Sequence, residues 1–261
     1  QDRRGTRVSS RVLDERIARF RRPPRALPWV LGHRGARAHA PENTMAAFDL
    51  ALAQGAIGIE LDVRMTADGQ LCIAHDPHLH LRGHVNEVAV SDLSGAQLRK
   101  ARLLSGEPLP TLDEVLAWQT RTGALVNVEL KGDVKAPLWM ARRAAEAVRR
   151  HGGEGILFSS FHVGQVWQLT KSLPDVPVAL LVEAKKSYVD RYSPRALLHH
   201  VAIHPQASLV TAERMASWRA QGLLVNVWTV NDPKEAVRLS QLGVDTLVTD
   251  SPRTILAALR P

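Results

Sequence analysis

Residues 57–63 read Ile-Gly-Ile-Glu-Leu-Asp-Val, an apolar run in which two carboxylates stand two positions apart. Because side chains alternate along a strand, Glu60 and Asp62 leave from one face and the apolar side chains from the other. Residues 125–131, Leu-Val-Asn-Val-Glu-Leu-Lys, repeat the pattern with Glu129 and Lys131. A buried charge is costly unless it is paired or binds a metal. Both stretches therefore predict strands that end at a functional site.

Apolar runs and helical patterns alternate on both sides of these stretches. The runs predict strands at 29–32, 57–63, 124–130, 156–159, 178–182, 201–203, 223–229 and 246–249. Helices are expected at 44–54, 112–120, 137–150, 163–172, 188–199, 212–220, 233–241 and 252–259. This alternation predicts an α/β fold, a TIM-type (β/α)8 barrel. A doubly wound open sheet is the alternative, but no glycine-rich fingerprint follows the first strand.

A short apolar run at 71–74 interrupts the alternation, with Asp68-Gly69 just before it. Asp-Gly between extended segments is a strong hairpin signal. With these two residues as the loop, the register places His75 directly opposite Asp62, on the same face. Residues 77–110 have no strong period and are expected to form a short insertion over the barrel mouth.

The net charge of +8 is concentrated at the start of the chain, where residues 1–25 contain nine arginines and three acids, a balance of +6. This basic arm is expected to be helical and to pack on the outside of the barrel, although a basic arm could instead contact an anionic membrane surface. Residues 26–261 are expected to form one barrel domain, with no basic stripe for nucleic acid. The inward-facing side chains expected in the arm are Val12, Leu13, Ile17 and Phe20.

Composition leaves the compartment of the protein open. The chain has one cysteine, Cys72, so no intrachain disulfide can form. No apolar run approaches the ~20 residues that a membrane span needs. A cytoplasmic location is slightly favoured, and a secreted or periplasmic location is the alternative, because a secretory signal could have been removed before Gln1.

Three carboxylates are expected to meet at the carboxyl ends of the strands, where barrels of this type carry their active sites. Glu60 and Asp62 come from one strand and Glu129 from another. One divalent cation, Ca²⁺ or Mg²⁺, would relieve their repulsion, because both ions take oxygen ligands. The alternative is a set of structural ion pairs with the neighbouring cations Arg34, Arg64 and Lys131.

Two histidines, His33 and His75, stand at strand ends beside these carboxylates. Histidine suits proton transfer because its ordinary pKa lies near working pH. Arg34 and Lys131 place positive charge where phosphate oxygens would gain negative charge. The other histidines, including His162 and His204 near strand ends, are interpreted as scaffold or solvent-facing residues.

Taken in order, these motifs resemble those of the glycerophosphodiester phosphodiesterase family, in the phospholipase C-like phosphodiesterase superfamily. The resemblance covers roughly residues 28–256, and the basic arm lies outside it. The motifs are His33-Arg34-Gly35, Pro41-Glu42-Asn43-Thr44, Glu60-Leu61-Asp62-Val63, His75-Asp76 and Val128-Glu129-Leu130-Lys131, followed by residues 227–231, 243–245 and 249–252. Each motif is short, but the set in this order and spacing is very specific.

The resemblance implies a role for each of the candidate residues. Glu60, Asp62 and Glu129 would bind one Ca²⁺ or Mg²⁺, and His33 and His75 would form the general acid–base pair. Arg34 and Lys131 would hold the phosphate. Glu42 is expected next to the site without touching the metal. Trp228 is expected to pack on the glycerol moiety, with a core aromatic role as the alternative.

The implied reaction is hydrolysis of a small-molecule glycerophosphodiester to glycerol 3-phosphate and an alcohol. The nucleophile would be water, or the glycerol 2-hydroxyl with a cyclic phosphate formed first. A lysophospholipase D-like activity on lipid head groups is one alternative, which the basic arm and an apolar groove beside 77–110 would favour. A non-catalytic basic binding module is another, and the intact histidines and carboxylates argue against it. The protein is expected to be a monomer or a homodimer.

Overall fold

The computed structural model describes residues 3–186 and 198–260, so the helix expected at 188–199 falls almost wholly outside the described residues. Eight parallel strands form a closed ring within that part of the chain. They are β1 (Trp29–His33), β2 (Gly58–Met65), β6 (Leu125–Leu130), β7 (Ile156–Ser160), β8 (Val178–Val182), β9 (Ala202–Pro205), β10 (Leu224–Val227) and β11 (Thr246–Thr249).

Closure of the ring depends on β1, which pairs in parallel with both β2 and β11. An open doubly wound sheet would leave the first strand without one of these neighbours, so the barrel prediction is confirmed. The register brings the candidate residues side by side: His33 lies beside Glu60, and Asp62 lies beside Glu129. The short strands thus deliver charged side chains to one end of the barrel.

Helices separate most of the strands and pack their apolar faces on the outer side of the barrel. Local capping explains several of their starts: Thr44 accepts from the amide of Ala47 in the helix Met45–Ala53, and Thr111 and Glu114 form a capping box at the start of the helix Leu112–Thr122. The helices are α2 (Met45–Ala53), α4 (Leu112–Thr122), α5 (Pro137–His151), α6 (Val163–Ser172), α7 (Ala212–Ala220), α8 (Pro233–Leu242) and α9 (Pro252–Leu259). Among the described residues, no helix has the length and apolar character needed to cross a bilayer.

The hairpin after β2 is present, but its expected register was wrong by one residue. Strand β3 (Leu71–Ile73) pairs antiparallel with β2, with Val63 opposite Ile73, and Ala74 donates to the carbonyl of Asp62. Thr66 closes a loop of three residues, 67–69, in which Gly69 has a φ of +84°. Glycine at the end of a three-residue hairpin loop explains the extra residue. His75 therefore lies beyond the hairpin and not opposite Asp62.

The insertion (residues 77–110) contains more structure than its sequence pattern indicated. It forms the short strands β4 (His78–Leu79) and β5 (Val88–Ala89) and the helix α3 (Gly95–Lys100). Ser94 caps α3 through a capping box with Gln97. Its apolar side chains form a small separate core with the hairpin, made of Cys72, Ala74, Leu81, Val90, Leu93, Leu98 and Leu109.

The basic arm forms helix α1 (Arg3–Phe20), which lies across the amino-terminal end of the barrel and not against its outer side. Phe20 is 1% exposed and packs with Leu125, Ala202 and Leu224, which are the first residues of their strands. Val12, Leu13 and Ile17 are partly buried, as expected for inward-facing positions. The ring of Phe20 thus fills the amino-terminal end of the barrel core.

Candidate active site

Three carboxylates meet at the carboxyl-terminal end of the barrel. Glu60 and Asp62 project from β2 and Glu129 from β6, and one oxygen of each lies within 4.8 Å of the others. All three are buried or nearly so, because the neighbouring strands and loops surround them. This is the oxygen-rich donor set that a hard divalent cation prefers.

Burial and mutual repulsion shape the acidity of this carboxylate triad (Glu60, Asp62 and Glu129). Burial, and then the charges of Asp62 and Glu129, raise the pKa of Glu60 well above its ordinary value. Burial and Asp62 raise the pKa of Glu129 to about 7. Burial also opposes ionisation of Asp62, but Lys131 and Arg34 outweigh it and lower its pKa. The triad is short of positive charge, so it fits a bound divalent cation.

His33, at the end of β1, is held by a carboxylate from the last strand. Its Nδ1 lies 2.6 Å from Oδ1 of Asp250, and its Nε2 lies 3.9 Å from Oε2 of Glu60. Asn231 donates to the other oxygen of Asp250 at 2.7 Å and so fixes that carboxylate. Asp250 orients the imidazole so that Nε2 points toward the triad.

His75 lies beyond the hairpin, close enough to Asp62 for their charges to interact. Its Nδ1 lies 2.8 Å from Oδ1 of Asp76, and its backbone oxygen accepts from Nε of Arg64 at 2.8 Å. Burial lowers the pKa of His75, and the charge of Asp62 opposes that shift. Its imidazole is half-buried and thus remains open to the cleft described below. Both histidines consequently have a carboxylate on Nδ1, which leaves Nε2 for proton transfer.

Arg34 bridges the triad and the loop that precedes α2. Its backbone has a φ of +52°, a rare conformation for a residue with a side chain, which turns its amide toward Oε2 of Glu60 at 3.0 Å. The guanidinium lies 3.2 Å from Asp62 through Nε and 2.8 Å from Glu42 through Nη1. Asn43, also at positive φ, donates to Asp62 at 3.0 Å. Strained backbone of this kind is typical of functional sites.

Lys131 supplies the second cation at the triad. Its Nζ lies 2.8 Å from Glu129 and 3.2 Å from Asp62, and these charges raise its pKa against the opposing effect of burial. The ammonium faces a cleft of about 640 Å³ that also contains His75, Glu129 and the rings of Phe161 and His162. The cleft is therefore open to a polar substrate, with positive charge at its floor.

Trp228 lies one residue beyond β10, beside a small pocket that also includes His33, Glu60 and Glu129. Its indole donates to the backbone oxygen of His204 at 2.7 Å and meets Phe161 edge-on, with centroids 5.6 Å apart. Only part of the ring is exposed, so the structure combines a packing contact with a face toward the site.

Two of the histidines interpreted as scaffold have structural partners. His204 is fully buried inside the barrel, where its Nε2 lies 2.9 Å from Asn226, and burial lowers its pKa to about 3. His162 caps α6 by accepting from the amide of Gln165. Arg64 pairs with Asp133 and not with the triad.

Some residues of the site were given no role from the sequence, although Asn43, Asn231 and Asp250 lie in the motifs that carry the resemblance. Asp250 contacts His33, Asn43 contacts Asp62, and Arg37 pairs with both Glu42 and Asp250. Asn231 contacts Asp250. Asp250 and Asn231 do stand at strand ends in the sequence, which was the available signal. Their partners are distant along the chain, so only the closed barrel assigns them.

Comparison with known proteins places the chain in a family. The model of the glycerophosphoryl diester phosphodiesterase family matches residues 33–254. A glycerophosphodiester phosphodiesterase of Bacillus altitudinis is 31% identical over 233 residues, covering 85% of this chain and 94% of that protein.

Two solved structures share the fold. An Oleispira antarctica phosphodiesterase in complex with the product sn-glycerol-3-phosphate is 27% identical, with a TM-score of 0.80, over 89% of this chain and 97% of that one. A glycerophosphodiester phosphodiesterase from Agrobacterium tumefaciens is 27% identical, with a TM-score of 0.73, over 88% of this chain and 100% of that one. The chain therefore belongs to the glycerophosphoryl diester phosphodiesterase family, a family of phosphoric diester hydrolases.

Proposed function

We propose that the protein hydrolyses glycerophosphodiesters to glycerol 3-phosphate and an alcohol, with one divalent cation and two histidines. The observation that carries this proposal is the convergence of three buried carboxylates between His33 and His75. The Oleispira antarctica relative supports it, since the structure of that phosphodiesterase is in complex with the product sn-glycerol-3-phosphate.

Glu60, Asp62 and Glu129 would hold the cation, Ca²⁺ or Mg²⁺. When bound, such an ion polarises phosphate oxygens and lowers the pKa of a hydroxyl or water. The raised pKa values of Glu60 and Glu129 support this assignment, because a dication compensates the repulsion that raises them.

The chain's own residues would bind the phosphate and move the protons. Arg34 and Lys131 would hold the phosphate oxygens, while Glu42 keeps the guanidinium of Arg34 in place. One imidazole would accept the proton of the attacking hydroxyl, and the other would give a proton to the leaving alkoxide. Trp228 would pack on the glycerol moiety.

Activity against a panel of glycerophosphodiesters tests the proposal directly. We expect the protein to release glycerol 3-phosphate from glycerophosphocholine. A chelator should abolish this activity, and added Ca²⁺ or Mg²⁺ should restore it. Phosphorus NMR during turnover separates the two nucleophiles, because attack by the 2-hydroxyl gives a cyclic phosphate and attack by water does not. Full activity after complete metal removal would contradict the proposed role of the triad.

A further inference from the structure

A second pocket, of about 310 Å³, shares His75 and Asp76 with the cleft that contains Lys131, which we call the polar cleft. We call this second pocket the apolar pocket. Leucines supplied mainly by the insertion form its walls, together with two residues of the hairpin. These apolar residues are Ile73, Ala74, Leu79, Leu103, Leu104 and Leu109. Its volume falls within the range of small-molecule sites, at about 300–1,000 Å³.

The apolar pocket is continuous with the site. His75 and Asp76 line both this pocket and the polar cleft, so the imidazole stands between them. Asn43, at the inner wall, donates to Asp62 of the triad. A substrate whose phosphate lies at the triad can therefore place one arm in the cleft and the other in the apolar pocket.

The charged groups that border the apolar pocket already have partners. Glu42 pairs with Arg34 at 2.8 Å and with Arg37 at 3.3 Å, and His80 pairs with Glu87 at 3.0 Å. An ammonium head group would find little to bind there, whereas a hydrocarbon chain would bury leucine surface. The polar cleft has more charged side chains in its lining, among them Lys131, Asp133 and Glu183.

The walls of the apolar pocket are supported from behind. Leu81 and Leu109 are nearly fully buried in the separate core of the insertion, and Leu81 bridges to Leu103. Leu79 and Leu103 pack on that same core. The pocket is thus preformed, which lowers the entropic cost of ordering a ligand in it.

We propose that the apolar pocket takes the acyl chain of a monoacylated glycerophosphodiester, a lysophospholipid, while the phosphate lies at the triad. This inference rests on the proposed function and names a substrate class for the same site. It assigns the polar cleft to the hydrophilic head group. Hydrolysis would release that head-group alcohol and leave the acyl chain on the glycerol phosphate product.

The test compares glycerophosphocholine with hexanoyl, octanoyl and decanoyl lysophosphatidylcholine, each below its micelle concentration, by choline release. We expect kcat/KM to rise by up to about fourfold for each methylene that enters the apolar pocket. A value that is flat or falls with chain length overturns the inference. Failure to cleave glycerophosphocholine as well would overturn the proposed function instead.

Binding measures the same preference without turnover. Isothermal titration calorimetry on a His33→Ala variant should give affinities for the acyl series that rise with chain length. Equal affinities for glycerophosphocholine and the decanoyl compound would overturn the inference even if no substrate is hydrolysed.

Substitution at the rim locates the effect. Leu104 is 63% exposed, so Leu104→Glu should fold, and we expect it to lower the ratio of decanoyl to deacylated kcat/KM by about tenfold. Val85→Glu is the matched control, because Val85 belongs to the same insertion, is 99% exposed and does not line the pocket. A ratio that is unchanged in Leu104→Glu, or lowered equally in both variants, overturns the assignment.

Discussion

The two ends of the barrel both collect charged side chains, but these charges have opposite effects on the fold. At the carboxyl-terminal end, three buried carboxylates repel one another, as the raised pKa values of Glu60 and Glu129 indicate. At the amino-terminal end, arginines of the basic arm meet groups that attract them. Arg16 donates to the carbonyl of Gly152 at the end of α5, and Arg22 to that of Ser240 in α8.

This contrast follows from the direction of the chain in a parallel barrel. Within the described residues, the helices that connect the barrel strands end at the amino-terminal end of the barrel, where their last carbonyls carry partial negative charge. Arginines of the arm donate to carbonyls at or just beyond two of these helix ends. The strand ends at the other face carry the catalytic candidates. Arginines of the basic arm thus form stabilising contacts within the protein. The charges at the amino-terminal end of the barrel support the fold, whereas the carboxylates at the carboxyl-terminal end repel one another.

The largest expected effect is a loss of activity from changes at the carboxyl-terminal end of the barrel. His33→Ala and His75→Ala should each lower phosphodiesterase activity by about 10²–10⁴-fold, because each removes a proton-transfer group. The urea midpoint should change little, since neither ring belongs to the apolar core. His84→Ala, at an exposed position of the insertion, is the control and should keep activity. Full activity in either active-site variant would show that the acid–base assignment is wrong.

The next effect concerns the opposite end alone. Phe20→Ala should lower the free energy of unfolding by about 3–5 kcal/mol, because it leaves a cavity among the first residues of the strands. Urea unfolding followed by circular dichroism measures the loss, and the folded enzyme should retain its kcat. Leu27→Ala, at a residue that is 45% exposed, should cost far less. Equal losses of unfolding free energy in the two variants would contradict the role of Phe20 in filling the amino-terminal end of the barrel.

A third change, at the carboxyl-terminal end of the barrel, should lower activity while it raises the stability of the metal-free protein. Glu60→Gln should abolish activity yet raise the free energy of unfolding of the metal-free protein by about 1–3 kcal/mol, because it removes a buried repelling charge. Thermal unfolding with a chelator and with added Ca²⁺ or Mg²⁺ measures both effects. The cation should stabilise the natural protein but not the variant.

Glu146→Gln, an exposed position on α5, is the control for this change and should leave both properties intact. A loss of metal-free stability in Glu60→Gln would mean that its hydrogen bond from Arg34 outweighs the repulsion.

The smallest expected effect belongs to the arginines of the basic arm. Arg16 is mostly buried and contacts Asp175 at 2.7 Å as well as Gly152, so Arg16→Ala should cost about 1–2 kcal/mol of unfolding free energy. Among the described side chains, Arg11 pairs with Glu15 in an exposed i,i+4 contact, and Arg11→Ala should cost at most about 0.5 kcal/mol. Identical values for the two arginines would show that contacts with the helix ends do not stabilise the barrel.

The sequence alone determined the barrel, the residues of the triad and, within the described residues, the approximate positions of the barrel strands and helices. These features depend on local rules: alternation along a strand, apolar periodicity, helix caps, and the requirement that charge in an apolar strand lies at its end. The predicted strand at 178–182 and helix at 163–172 match β8 and α6 for this reason. His33 and Glu60 were grouped correctly because both were expected near the carboxyl ends of neighbouring strands, and the parallel register places them side by side.

Tertiary structure decided what depends on distant partners. Closure of the barrel brings Asp250 to His33 across 217 positions of sequence, and no local pattern encodes that contact. A single extra loop residue, which Gly69 permits, shifted the hairpin register and moved His75 away from its expected place opposite Asp62. Two further features arise only when separate elements pack together. One is the position of the arm at the amino-terminal end of the barrel, where Phe20 is buried, and the other is the apolar pocket beside His75. The stability of both features depends on how well the surfaces of separate elements fit together. No single segment of the sequence contains that information, so only the fold reveals it.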